Sequence, residues 1–170
     1  MRARAVFALA APFLLTFCGG PAQNAPGTEV VEIKVNPNGV SATLPPAPAG
    51  KLRMSLDRVG EVTEPAGKAP VVIALSGDIV ASGFAIDEAA HALAGGVDIA
   101  IDSLPFGAHY QLDRPDVATF FKTPAYEKAG FQFTMPAKFF GKGKHTLVAR
   151  AIANDRKAYY EGPPVTLDIQ

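Results

Sequence analysis

From Lys51 to the end of the chain, apolar and polar residues alternate in short runs. That period of two constrains the fold more than any other feature. Successive side chains of a strand point to opposite faces, so such a run buries one face and wets the other. Val97-Asp98-Ile99-Ala100-Ile101-Asp102 is the cleanest case, with Val97, Ile99 and Ile101 expected inward and Asp98, Ala100 and Asp102 in solvent. Leu52, Met54 and Leu56 alternate in the same way, as do Phe131, Phe133 and Met135. Runs at 70–75, 79–86, 106–111, 145–153, 158–161 and 165–169 bring the set to about eight or nine strands. Glycine (16) and proline (15) punctuate them with turn signals such as Ser76-Gly77-Asp78. Many short strands at close spacing predict an all-β, two-sheet sandwich, and roughly 120 residues can bury its core.

One stretch, residues 113–131 (DRPDVATFFKTPAYEKAGF), breaks the alternation and predicts a short helical turn between strands. Asp113 is placed to cap it, Pro115 suits its first turn, and Asp116 falls where a carboxylate meets free N–H groups. Val117, Phe120 and Phe121 lie at i, i+3 and i+4, so an apolar side should plug the space between the two halves of the sandwich. Pro124 ends the turn. Arg114 and Asp116 are expected in a salt bridge or in backbone hydrogen bonds. The roles predicted for Asp113, Arg114, Asp116, Phe120 and Phe121 are therefore structural.

The N-terminus carries an address. Arg2 and Arg4 precede an uncharged, mostly apolar run at 5–17, too short to span a membrane and fitting a signal h-region. Residues 1–17 are thus expected to be a signal peptide. Leu15-Thr16-Phe17-Cys18 resembles the lipobox of bacterial lipoproteins, with Phe17 standing where a small residue is usual. The resemblance implies lipidation at Cys18, export, and a lipid anchor in a membrane of the bacterial cell envelope, on its periplasmic or surface side. The alternative is an ordinary secreted protein that loses Cys18 with its signal. Cys18 is the only cysteine, so no intramolecular disulfide can form. Residues 18–50 follow as a Pro/Gly-rich tether with possible extra strands at 29–35 and 40–44, and the sandwich is expected over 51–170.

Several segments come in an order that resembles a known module: GVDIAID, then Tyr110, RPDVA, PAY, Gly130-Phe131, GKHTL and YYEGPPV. They look like an immunoglobulin-like β-sandwich module of uncharacterised role found on bacterial envelope proteins. The likeness covers about residues 51–170 and implies a fold, with no catalytic residues to carry over. Phe84 stands where such modules often have Trp, and Asp102-Ser103 replaces a usual Asp-Gly turn.

The residues offer little chemistry. His91, His109 and His145 match no metal-ligand spacing, and His145, at the start of a strand, reads as a buried hydrogen-bonding group. No serine sits in a G-x-S-x-G elbow, and Gly141-Lys142-Gly143-Lys144 lacks the phosphate-loop frame. Asp87, Glu88, Asp98, Asp102, Asp113 and Asp116 form no known calcium frame. No catalytic residue, metal or cofactor is expected. Formal net charge is zero, with 16 basic and 16 acidic residues, which argues against nucleic acid. Two functions stay open: a non-catalytic envelope lipoprotein whose sandwich binds a protein or serves as a structural module, and a carbohydrate-binding module. The second would present Tyr110, Tyr126, Tyr159 and Tyr160 to cell-wall or surface glycan, since sugars stack on exposed aromatic faces.

Overall fold

A computed structural model describes residues 38–48 and 52–170. The signal peptide, Cys18, the first part of the tether and the strand expected at 29–35 lie outside the described residues. In chain order the strands are β1 (Leu52–Val59), β2 (Val62–Thr63), β3 (Val71–Ile73), β4 (Asp78–Asp87), β5 (Ala92–Leu93) and β6 (Gly96–Ile101). They continue with β7 (Leu104–Gly107), β8 (His109–Leu112), β9 (Gly130–Pro136), β10 (Gly143–Ile152), β11 (Tyr159–Glu161) and β12 (Val165–Ile169). Between β8 and β9 lies the α-helix α1 (Pro115–Phe120). One sheet runs β2-β1-β4-β9-β8 with β5 on β4, and the other runs β3-β12-β10-β6-β7 with β11 on β10. β3 joins β12 in parallel, and the main ladders of both sheets are antiparallel. The chain folds as an all-β sandwich.

The period of two sorts the core. Val97, Ile99 and Ile101 of β6 lie across from Ala151, Ala149 and Leu147 of β10, and they share one buried cluster with Ile79, Ala81, Ala85, Phe131 and Phe133 of the facing sheet. Gly83 stands where β1 and β4 press together: a Cβ there would lie 1.9 Å from the Ser55 carbonyl oxygen. The run at 106–111 is not one strand. It breaks at Ala108, where the chain leaves the second sheet as β7 and enters the first as β8, and the Ala108 N–H donates to the Val97 carbonyl at 2.9 Å.

Each sheet carries a cover on its outer face. On the first, Phe84 and Ile86 point away from the main core, and Val117, Tyr126 and Ala129 form a second buried cluster with Ile86, against which Phe84, Leu93 and Phe121 pack. The 113–129 stretch therefore lies on the outside of a sheet and does not plug the space between the two. Phe120 is expelled from it, 81% exposed. The reason is angular: at 100° per residue, Phe121 lies about 40° to one side of Val117 and Phe120 about 60° to the other. A six-residue helix docks through one side, and here that side is Val117 and Phe121.

On the second sheet the cover is polar. Val40–Thr43, expected as part of a strand, is a 3-10 turn in a strap, residues 38–48, that crosses β7, β6, β10 and β11. The Gly39 N–H donates to the Pro105 carbonyl at 3.0 Å, and the Gly107 N–H donates to Asn38 Oδ1 at 3.1 Å. Ala47 and Tyr159 share a bond through the Ala47 N–H, while the Tyr159 N–H donates to Pro45 at 3.0 Å. Asp98, expected on a solvated face, is 1% exposed beneath this strap, where its Oδ2 accepts the Ser41 N–H at 2.7 Å. A buried carboxylate needs such a donor, and here the strap brings it.

Candidate functional site

The α1 cover is pinned at its start by charge. Arg114, and not Asp113, is the N-cap, and no side chain caps the helix. Asp113 is drawn off to Lys128, with 2.5 Å between Oδ1 and Nζ. Arg114 forks onto Asp116, with Nε–Oδ1 at 2.9 Å and Nη2–Oδ2 at 2.7 Å, and its Nη1 reaches Asp57 of β1 at 2.8 Å. Its guanidinium also lies over the Phe84 ring, 5.5 Å from the centroid. The Arg114 hydrogen bond is the main cause that holds the Asp116 carboxyl below its ordinary value. Edge-on aromatic contacts lock the other side: Phe121 meets Phe84 at 6.1 Å and Tyr126 at 5.8 Å. Such pairs add about 0.5–1.5 kcal/mol each beyond their buried area.

This rigid cover presents Phe120 to solvent. On a different side of α1 from Phe120, Pro115, Ala118, Thr119, Lys122, Pro124 and Glu127 line a shallow groove of about 450 Å³. The chain reverses here through Lys122, whose φ of 51° is left-handed, and the Thr123 N–H closes the turn onto the Ala118 carbonyl at 2.9 Å. Phe120 is the most exposed of the large apolar side chains among the described residues. Helical spacing singled out Phe120 in the sequence but assigned it to the interior.

The other candidates are occupied by the fold. Tyr126 is buried at 2% exposure. The Tyr110 hydroxyl donates to the Ala85 carbonyl at 2.5 Å and accepts the Ala94 N–H at 3.0 Å, and burial pushes its pKa up to about 12. Tyr160 packs against the main core, and Tyr159 lies under the Arg150 guanidinium, 4.8 Å away. The four tyrosines offer no shared exposed face, because each has a neighbour that claims its ring or its hydroxyl.

His145 is half-buried, with Nδ1 2.6 Å from Asp102 Oδ2 and Nε2 3.2 Å from the Gly141 carbonyl oxygen. Burial alone would raise the Asp102 carboxyl. The His145 hydrogen bond and the Thr146 N–H outweigh it and hold that carboxyl below its ordinary value. This pair ties the Asp102-Ser103 turn, both residues at positive φ, to the start of β10. His91 and His109 are exposed on other elements.

The carboxylates weighed for calcium are likewise engaged. Asp87 accepts the Ala90 and Asn154 N–H groups, each at 3.0 Å, and Glu88 pairs with Arg53. Among the described residues no three His, Cys, Asp or Glu side chains converge on a metal position. Arg150, beside Asp98 in register, pairs with Glu161 at 2.7 Å and so braces β10 against β11 under the strap. No protein-family model matches the chain, and no curated protein matches it.

Proposed function

We propose that this chain is a non-catalytic lipoprotein of the bacterial cell envelope, anchored through Cys18, whose immunoglobulin-like sandwich is a protein-interaction module. The observation that carries this reading is Phe120, 81% exposed on a helix braced by Arg114, Asp57 and Phe121. A large aromatic in water gains about 1.5–3 kcal/mol by burial, and a preorganised support keeps the entropic cost of contact low. The apolar run that ends at Cys18 supports the anchor. A glycan-binding reading has no observation in its favour, since the tyrosines it would use are held within the fold.

The test has two arms in intact cells. A photoreactive phenylalanine analogue at position 120 should give a discrete cross-linked adduct that the same probe at Lys138 does not. Cys18→Ser should abolish palmitate labelling and move the protein out of the membrane fraction. Equal cross-linking from both positions would sink the contact reading, and unchanged fractionation of Cys18→Ser would sink the anchor.

A further inference from the structure

We infer that His145 is a proton-operated clasp on the turn between β9 and β10: as an imidazolium it fastens Gly141 to the Asp102-Ser103 turn, and as a neutral ring it lets Gly141 go. The observation behind it is a count of donors. Both ring nitrogens face acceptors, Nδ1 the Asp102 carboxylate at 2.6 Å and Nε2 the Gly141 carbonyl oxygen at 3.2 Å. A neutral imidazole carries one N–H and cannot donate to both, whereas the imidazolium donates twice. The His145 side chain is 12% exposed, so little water is at hand to replace a missing donor.

Deprotonation falls on one particular bond. The hydrogen bond to the carboxylate is charge-assisted and keeps its proton on Nδ1, so Nε2 is the nitrogen that gives one up. Its lone pair then opposes the Gly141 oxygen, and the two acceptors must turn apart or admit water. Phe140 rides on the same turn, its ring 6.0 Å from His145 and edge-on to the buried Phe106 ring at 5.8 Å, so the clasp also sets how firmly Phe140 stays against the core. The charges near the ring come from three segments. Asp102 contacts it from the turn after β6, Lys142 and Lys144 flank it in the chain, both exposed, and Asp168 of β12 stands opposite Lys144 in register. Burial works against ionisation of Asp102, and the His145 and Thr146 hydrogen bonds more than offset it. That carboxylate therefore stays charged through the range in which a histidine exchanges its proton, and the ring is the group that switches.

The experiment follows the full chain, labelled with nitrogen-15 and held in detergent micelles, by NMR between about pH 5 and pH 8. At the acid end both His145 ring nitrogens should carry protons, and at the alkaline end only Nδ1 should. With the same midpoint, the amide signals of residues 141–143 should move. The Phe140 amide, which donates to the Ala137 carbonyl at 3.0 Å, should exchange faster at the alkaline end. The gain should be about tenfold beyond the intrinsic pH dependence of exchange, the change expected for losing about one net hydrogen bond. His91→Gln/His109→Gln alters the two exposed histidines on other elements and should leave the response intact, whereas His145→Gln should abolish it. Unchanged protonation of His145 across the range, a neutral ring protonated on Nε2, a turn indifferent to the titration, or a response that survives His145→Gln overturns the clasp. The first three outcomes are read on the parent chain alone, so the proposal stays refutable even if His145→Gln fails to fold.

Discussion

The two covers do the same job by opposite physics. The α1 cover holds the first sheet by apolar area: Val117, Tyr126 and Ala129 are buried against Ile86, with Phe84 and Phe121 packed around them. The strap holds the second sheet by directed bonds, with Ser41 on Asp98, Asn38 on Gly107, and Pro45 and Ala47 on Tyr159. Area is non-directional and accumulates with every buried carbon. A hydrogen bond contributes about 0.5–1.5 kcal/mol net, yet a buried donor or acceptor left without a partner costs about 1–3 kcal/mol. The aromatic cover should therefore belong to the cooperative core. The strap should be a local unit that detaches when one of its bonds is removed.

The largest effect is expected at Tyr126. Truncating this buried ring to alanine should cost about 3–5 kcal/mol and lower the melting temperature of the whole domain by about 10 °C or more. Phe120→Ala, three residues from Val117 but facing water, should stay within about 0.5 kcal/mol of the parent. If Phe120→Ala destabilises as much as Tyr126→Ala, the exposed ring is part of the cover after all.

Next in size is the strap. Asp98→Ala leaves the Ser41 N–H without its acceptor and should weaken strap attachment by about 1.5–3 kcal/mol. Gly39→Ala should act at the same point by steric means, because its Cβ would stand 2.7 Å from the Pro105 Cβ and 2.8 Å from Asp98 Oδ2. Both variants should speed hydrogen exchange at the Ser41 and Ala47 amides and open residues 38–48 to protease, while the melting temperature moves far less than in Tyr126→Ala. A fall in global stability as large as that of Tyr126→Ala would merge the two covers into one cooperative unit.

The same contrast explains what the sequence made legible. Alternation reports which side chains share a face, and so the strands β4, β6, β9 and β10, and the inward residues of β6 and β9, could be read directly. It does not report what lies on the far side. Asp98 occupies an outward position, as its neighbours predict, and is buried only because a segment more than fifty residues away crosses over it. That segment, rich in proline, has the composition of a spacer, and its bonds to the sheet are made by backbone groups that no side-chain pattern reveals. The aromatic cover was half legible. Its helical spacing marked Val117 and Phe121 correctly, but the choice between the i+3 and i+4 neighbours depends on the docking angle, and the sheet decided it against Phe120. Tyr126 gave no signal, since a lone tyrosine after a proline fits a surface turn as well as a buried anchor.

The smallest expected effect lies in acid, where the apolar cover has one polar dependence. Asp116 is held below its ordinary value, first by the hydrogen bond from Arg114. A carboxyl depressed in the folded state stabilises the fold above its unfolded value near pH 4. That contribution is lost as pH falls through the lower, folded value. Because Asp116 is largely exposed, solvent screening limits the contribution to below about 1 kcal/mol. The melting temperature of the parent should therefore fall slightly more steeply between about pH 4 and pH 2 than that of Asp116→Asn, which lacks the titrating group. Parallel curves over that window would show that Arg114 holds α1 through Asp57 and the Phe84 ring alone.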